Sequence, residues 1–303
     1  MTASTTGGLA AEVAEYVDNQ ASVPLPLVEV AVTEAGGTAV VRGRVLTPRQ
    51  AAAVEGIARR HGAAVDIQVI ADPANRLEQD WLILTGPAIE VWRDPQSIGE
   101  DHARQTEYLA DDGPLRLLGR LPGTLLVQGP DLTTGWIEEE GVAATDPEAP
   151  RADWERRPRA VPDAAVQPDP AVQRHNADVL SGLVTAGREA LGTLYRWGGT
   201  TPSGYDCSGL VQRLFWRTTG VLLPKHSGDQ RHVGVRLTDG EPRAGDLLFA
   251  TPIGEKVGHV MILTSPATVL HACRTEESVI EESLDDNAKR YQHQGYRRPV
   301  QLS

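Results

Sequence analysis

The chain has 303 residues, about twice the usual length of a single domain, which predicts two or three domains. Hydrophobic residues make up 40% and charged residues 23%, which excludes collagen-like, low-complexity and fully disordered proteins, and the apolar runs are too short for a transmembrane helix. The net charge is −12, and residues 1–170 carry 14 Lys and Arg against 27 Asp and Glu, so nucleic acid and anionic membrane are disfavoured as partners.

The first twenty residues lack the basic and apolar segments of a secretory signal and carry Glu12, Glu15 and Asp18 instead. We therefore expect a cytoplasmic protein, with export by a non-classical route left open. Two cysteines, Cys207 and Cys273, are too few for a disulfide framework, and we expect both to be reduced.

Residues 1–75 show the pattern of a small α+β module. The predicted elements, in the order α-β-β-α-β, are Leu9–Val17, Leu25–Val32, Thr38–Val45, Pro48–His61 and Ala64–Ile70. This order, with an Ala-rich helix after the VVRGRV strand, resembles the BON domain, a small module associated with envelopes. A generic α+β packing module is the alternative.

Residues 76–140 consist of short strand-like runs separated by Gly, Pro and Asp, which predicts a small barrel of antiparallel strands. The segments that resemble a bacterial SH3-like domain are Val91–Pro95, Leu109–Leu118, Leu125–Gln128 and Gly135–Ile137. No set of nucleophilic and basic residues suggests catalysis here, so we expect a binding or positioning role. Residues 141–170 follow with six of the 21 prolines, which predicts a semi-rigid linker.

Residues 171–303 contain the residues that can carry chemistry. The apolar spacing of Ser208–Thr219, followed by Gly220, predicts a helix with Cys207 at its N-terminus, where the helix dipole favours a reactive thiolate. A nucleophile needs a base and a group that orients the base. His259 and His271 lie in strand-like segments joined by a short turn, so a hairpin can place their rings side by side.

Six elements of this region form a recognisable order: Tyr195–Gly199, Asp206–Gly209, Leu223-Pro224, Ala244–Leu247, Gly258–Val260 and His271. Together they resemble the NlpC/p60 family of papain-like cysteine peptidases. The resemblance covers roughly residues 176–300. It implies hydrolysis of peptidoglycan stem peptides, typically between γ-D-glutamate and a diamino acid, without a cofactor.

By this resemblance Cys207 is the nucleophile, His259 the general base and acid, and His271 the residue that fixes the His259 tautomer. Tyr195 is expected to donate to the oxyanion. The candidate substrate contacts are Trp197, Asp206, Ser208, Ser227, Glu107 and Tyr108. Because the N-terminal half is acidic, we expect the site to prefer peptides with a free L-alanine amine.

The predicted fold class is therefore α+β, with a papain-like NlpC/p60 domain preceded by an SH3-like β-barrel and a small α+β module. The alternatives are an amidase or acyltransferase on the same fold and a non-catalytic protein that binds the cell wall. No CxxC or HxxxH spacing is present, so no metal site is expected. The accepted diamino acid and the oligomeric state stay open.

Overall fold

The computed structural model describes residues 3–20, 28–35, 37–45, 48–70, 81–145, 181–237, 242–256 and 258–299. In these ranges, no helix has the length and apolar character that crossing a membrane requires. The strands belong to three larger sheets and one short hairpin.

The N-terminal unit has the predicted α-β-β-α-β order. Its elements are α1 (Ala3–Gln20), β1 (Val28–Ala35), β2 (Thr38–Val45), α2 (Pro48–Arg60) and β3 (Ala64–Val69). Strand β2 is central, antiparallel to β1 and parallel to β3. Leu9 and Val13 of α1 and Val54 of α2 pack against Val41 and Val45 of β2. The resemblance to the BON domain stays a prediction.

The second unit is an antiparallel sheet of seven strands. These are β4 (Trp81–Leu84), β5 (Ala88–Trp92), β6 (Arg104–Leu109), β7 (Leu115–Leu121), β8 (Thr124–Gln128), β9 (Thr134–Glu138) and β10 (Val142–Ala144). Single 3₁₀ turns lie at Pro95–Ser97, Asp101–Ala103, Ala110–Asp112 and Glu139–Gly141. The order β10-β4-β7-β8-β9-β5-β6 leaves two edge strands and no closed barrel among the described residues, so the SH3-like barrel is not confirmed.

The sheet also extends past the predicted domain boundary at residue 140. Strand β10 pairs with β4, with Ala143 opposite Ile83, because the backbone of residues 142–144 completes the ladder of that edge. The proposed linker therefore begins later than residue 141, and its proline-rich part, residues 146–170, lies outside the described residues.

The C-terminal unit packs helices on a six-stranded sheet. The helices are α3 (residues 181–189), α4 (Cys207–Thr219), α5 (Ser227–Gln230) and α6 (Leu284–Asn287). A separate short hairpin consists of β11 (Thr200–Thr201) and β12 (Gly204–Tyr205). The strands of the six-stranded sheet are β13 (Val235–Leu237), β14 (Leu247–Pro252), β15 (His259–Ser265), β16 (Thr268–Cys273), β17 (Ser278–Ser283) and β18 (Tyr291–Arg298). The sheet order is β13-β18-β14-β15-β16-β17. Leu210 and Leu214 of α4 pack against Val260, Ile262 and Leu270, which holds α4 over β15 and β16.

Acidic residues of the seven-stranded unit meet arginines of the C-terminal unit. Arg213 of α4 forms a bidentate ion pair with Asp112, with nitrogen–oxygen distances of 2.5 and 2.9 Å, and both side chains are buried. Arg217, one turn further along α4, pairs with Asp111 at the surface. Part of the acidic excess of the N-terminal half therefore neutralises these arginines.

Candidate active site

Helix α4 begins at Cys207 because Asp206 caps it. Asp206 has extended backbone angles, and its Oδ1 accepts a hydrogen bond from the Gly209 amide at 2.6 Å, as an N-cap residue does. A Cβ on Gly209 would lie 2.0 Å from the Gly199 carbonyl oxygen, so the close approach of these segments requires glycine. As the first helical residue, Cys207 has an amide with no intrahelical acceptor.

Lys225 neutralises Asp206 beside the nucleophile. The Lys225 ammonium lies 2.7 and 3.0 Å from the two carboxylate oxygens, and its side chain is 1% exposed. Asp206 also accepts hydrogen bonds from the Gly198 amide and the Ser208 hydroxyl. These contacts use the lone pairs of the carboxylate, so they lend no support to binding of the substrate N-terminus by Asp206. Binding of the N-terminus or the glutamate by Asp206 or Ser208 stays a prediction.

His259 and His271 lie side by side, as the hairpin pattern predicts. The Nε2 atom of His259 is 2.8 Å from Nδ1 of His271, and their rings meet edge to face. Tyr291 of β18 stacks on the other side of His259, with ring centroids 4.8 Å apart. The ring of His259 is thus held by two aromatic contacts and one hydrogen bond.

Strand β15, which begins at His259, contacts the thiol of Cys207 through its backbone. The backbone of Val260, the next residue after His259, hydrogen-bonds to Cys207, and both residues belong to one buried cluster. Since Nε2 of His259 contacts His271, Nδ1 is the ring nitrogen available to the thiol. The structure therefore places His259 and His271 in contact, on a pair of strands of which β15 also contacts Cys207.

The ionisation of the thiol differs from the expectation. Burial, reinforced by the neighbouring Asp206 carboxylate, raises the pKa of Cys207 to about 11, and hydrogen bonding by backbone amides and the Lys225 charge offset this only in part. Burial, together with His271, lowers the pKa of His259 well below its ordinary value. The resting pair is therefore a thiol and a neutral imidazole, and His259 can take the proton as the sulfur attacks.

Tyr195 lies close to the nucleophile and stays protonated. Burial raises the pKa of its hydroxyl, and the nearby Cys207 and Asp206 raise it further. The backbone amide of Tyr195 is fixed by a 2.8 Å hydrogen bond to the Glu277 carbonyl. A neutral phenol and the free Cys207 amide are the two donors available to an oxyanion.

Trp197 and Ser227, two further predicted substrate contacts, differ in how accessible they are to a ligand. Trp197 is 36% exposed, and its carbonyl accepts a hydrogen bond from Arg104 of β6. Ser227 is partly buried and donates to the Gly258 carbonyl, which ties α5 to the start of β15. Trp197 can therefore reach a ligand, whereas the Ser227 hydroxyl is engaged within the protein.

Glu107 and Tyr108 are buried and engaged within the protein, so the structure lends no support to a substrate contact by either residue. Glu107 is 4% exposed, pairs with Arg196 and accepts hydrogen bonds from Thr200 and Thr201. Tyr108 is 2% exposed and donates its hydroxyl to Asp131. Glu107 joins the seven-stranded unit to the C-terminal unit, whereas Tyr108 belongs to the core of the seven-stranded unit.

Sequence reasoning also missed residues around the site. Lys225 was not among the predicted site residues, because its burial depends on the loop that carries it back to Asp206. No group of three His, Cys, Asp or Glu side chains in the described ranges is arranged to hold a metal ion. Cys273 is fully buried and lies 3.7 Å from the Tyr291 hydroxyl, away from any helix N-terminus.

A capped cysteine at a helix N-terminus, next to a strand that carries one member of a histidine pair, supplies the residue types that a papain-like cysteine hydrolase site requires. Residues 192–298 match the model of the NlpC/P60 family, so the chain contains an NlpC/P60 domain of mixed α and β structure.

Individual relatives agree with the family match. The chain is 35% identical over 118 residues to a probable endopeptidase NlpC homolog of Haemophilus influenzae, covering 38% of this chain and 62% of the relative. It is 33% identical over 99 residues to a gamma-D-glutamyl-L-lysine dipeptidyl-peptidase of Bacillus cereus, covering 32% of this chain and 29% of the relative. The crystal structure of the NlpC/p60 domain of peptidoglycan hydrolase SagA is 29% identical, with 41% of this chain and 98% of that chain covered and a TM-score of 0.35. The chain thus spans less than two thirds of both curated relatives.

The role of His271 can be tested by a substitution series. His271→Ala should lower kcat by about 10²–10⁴-fold, because an imidazole with the wrong tautomer cannot take the thiol proton. His271→Gln and His271→Asn should keep part of the rate, since an amide oxygen can accept from Nε2 of His259. Steady-state kinetics on a stem peptide checks this order, and equal activity in all three variants would reduce His271 to a packing residue.

Proposed function

We propose that this protein is a cysteine peptidase that hydrolyses peptidoglycan stem peptides at the bond between γ-D-glutamate and a diamino acid. The observation that carries the proposal is the Cys207–His259–His271 arrangement. The names of the relatives, an endopeptidase and a gamma-D-glutamyl-L-lysine dipeptidyl-peptidase, support this substrate class.

The chemistry follows from the resting state of the site. The Cys207 sulfur attacks the γ-carbonyl carbon while its proton passes to Nδ1 of His259. The oxyanion accepts hydrogen bonds from the Cys207 amide and the Tyr195 hydroxyl. The imidazolium then protonates the leaving amine, which leaves a thioester, and a water molecule activated by His259 hydrolyses the thioester.

The proposal extends to free peptides, as in the cytoplasmic recycling of wall fragments. Strand β6 covers the segment just before the nucleophile, because Arg104 donates to the Trp197 carbonyl and the Thr200 hydroxyl donates to the Glu107 carbonyl. A substrate approaching from this side meets the seven-stranded unit. This arrangement supports a site that accepts a peptide with a short segment before the scissile bond, and not a peptide that is still joined to glycan.

The direct test is product analysis by mass spectrometry. The pure protein is incubated with L-Ala-γ-D-Glu-meso-diaminopimelate and, in parallel, with polymeric cell wall. The expected result is release of diaminopimelate and L-Ala-γ-D-Glu from the free peptide. If the acyl group is transferred to an added amine instead of to water, the result would support the acyltransferase alternative. If neither substrate reacts, the result would contradict the proposal.

The preference for a free amine gives a separate prediction. N-acetylation of the peptide should lower kcat/KM by about 10–100-fold, because the acetyl group lengthens the N-terminal part of the peptide that the seven-stranded unit confines. The control is the same peptide with a free amine and a blocked terminal carboxylate. Equal kcat/KM for the free and acetylated peptides would contradict the preference and favour intact wall as the substrate.

A further inference from the structure

A partly buried carboxylate lies against His271, on the opposite side of its ring from His259. Oε1 of Glu282 is 2.9 Å from Nε2 of His271. The side chain is 13% exposed, and it also accepts hydrogen bonds from Asn287 and Arg290. Burial alone would raise the pKa of Glu282, but the hydrogen bonds from His271, Asn287 and Arg290 outweigh it and lower the pKa to about 2. Glu282 is therefore an ionised acceptor.

The proton positions on both histidines follow from this acceptor. A carboxylate accepts only, so Nε2 of His271 must carry the proton. Burial lowers the pKa of His271 despite Glu282, so the ring is neutral and its Nδ1 must accept. The proton between the rings then belongs to Nε2 of His259. Consequently Nδ1 of His259 is unprotonated and can serve as the base for Cys207.

We infer that Glu282 is a positioning residue that sets the tautomers of His271 and His259 and thereby keeps the base in its active form. The inference rests on the proposed function only for its kinetic consequence. In the reaction, one proton moves from the Cys207 sulfur to Nδ1 of His259 and then to the leaving amine. Glu282 stays ionised throughout and stabilises the transient imidazolium through His271.

The near-isosteric Glu282→Gln variant separates this role from a structural one. Its single amide oxygen should face Arg290, because an amide NH₂ group against a guanidinium would be repelled. The NH₂ group then faces Nε2 of His271, which must accept, and the Asn287 amide, which donates to the same carboxylate oxygen, must turn its own oxygen towards the new NH₂ group. This reverses both tautomers and places a proton on Nδ1 of His259. A purely structural Glu282 would instead make Gln the mildest substitution.

The experiment compares Glu282→Gln and Glu282→Ala with Glu281→Gln in the full chain. Glu281 is the matched control, because the adjacent residue of β17 also forms an ion pair, with Arg188 at the surface. Long-range ¹H–¹⁵N correlation spectra of the imidazoles report the tautomers, kinetics on the free tripeptide report kcat and KM, and thermal unfolding reports stability. Using Glu282→Gln and Glu282→Ala together covers the case in which one of them fails to fold.

We expect Glu282→Gln to protonate Nδ1 of His259 and to lower kcat by about 10²–10⁴-fold with KM nearly unchanged, at least as much as Glu282→Ala. Glu281→Gln should match the unmodified chain. Wild-type tautomers in a folded Glu282→Gln variant, or a kcat loss shared by Glu281→Gln, would overturn the inference. If the unmodified chain fails to cleave the peptide but Glu282→Gln still reverses the tautomers, the proposed function fails and the positioning role stands.

Discussion

Cys207→Ala should abolish peptide hydrolysis, lowering kcat by roughly 10⁴-fold or more, since without the sulfur no thioester can form. The protein should stay folded, because the loss of one small buried side chain leaves the contacts of Leu210 and Leu214 with the sheet in place. Release of the diamino acid, followed by mass spectrometry, measures the effect. Circular dichroism of the same samples shows whether the fold is intact.

Cys273→Ala is the matched control for this prediction. Both cysteines are unpaired and buried, but Cys273 contacts Thr275 and Tyr291 and not a helix N-terminus. Cys273→Ala should therefore keep activity near that of the unmodified chain. An active Cys207→Ala variant together with an inactive Cys273→Ala variant would show that the nucleophile is assigned to the wrong sulfur.

Arg213→Met should destabilise the protein by about 3–5 kcal/mol, because the buried Asp112 carboxylate loses its bidentate partner, although it keeps the Leu109 amide and a 3.4 Å contact with Arg217. Arg213 and Asp112 are 6% and 0% exposed at the side chain, and Arg213 also donates to the Thr200 carbonyl at 2.6 Å. Its loss should loosen α4, the helix that carries Cys207, from the seven-stranded unit. The free energy of unfolding, measured with urea, checks the prediction.

The neighbouring pair provides the control. Arg217 and Asp111 make the same two-point contact, but their side chains are 45% and 66% exposed. Arg217 also reaches Asp112, but only at 3.4 Å, and Asp112 keeps its bidentate partner Arg213 when Arg217 is replaced. Arg217→Met should therefore cost at most about 1 kcal/mol. Replacing both buried partners with apolar residues, Arg213→Met with Asp112→Leu, should recover part of the loss. If Arg213→Met and Arg217→Met lower the free energy of unfolding by the same amount, burial does not decide the strength of these arginine–aspartate pairs.

Local sequence patterns were sufficient to predict those features that depend on a single helix or hairpin. The spacing of Ser208–Thr219 predicted the helix that starts at Cys207, and the structure confirms it. The short turn after β15 predicted that His259 and His271 are neighbours, and the 2.8 Å contact confirms it. The order of the first five elements was also correct, because each has its own periodicity.

Features that depend on distant segments were missed. The thiol pKa has the opposite direction to the expectation, because burial by the sheet outweighs the helix end. Glu107 is an interdomain residue because Arg196 reaches it from the other unit. Glu282 was not singled out, since its contact with His271 depends on the pairing of β16 with β17, where Ile280 lies opposite His271 and Glu282 lies two residues further on the same face.

Covalent labelling tests most directly whether Cys207 attacks a γ-linked D-glutamyl carbonyl. The probe is L-Ala-γ-D-Glu with its γ-carboxyl converted to an acyloxymethyl ketone, which a thiol attacks with loss of the carboxylate, and the α-linked isomer is the control. Peptide mapping by mass spectrometry should find the γ-linked probe on Cys207, with labelling slowed by His259→Ala and by excess tripeptide. Labelling of Cys273, or equal labelling by the α-linked isomer, would contradict the account.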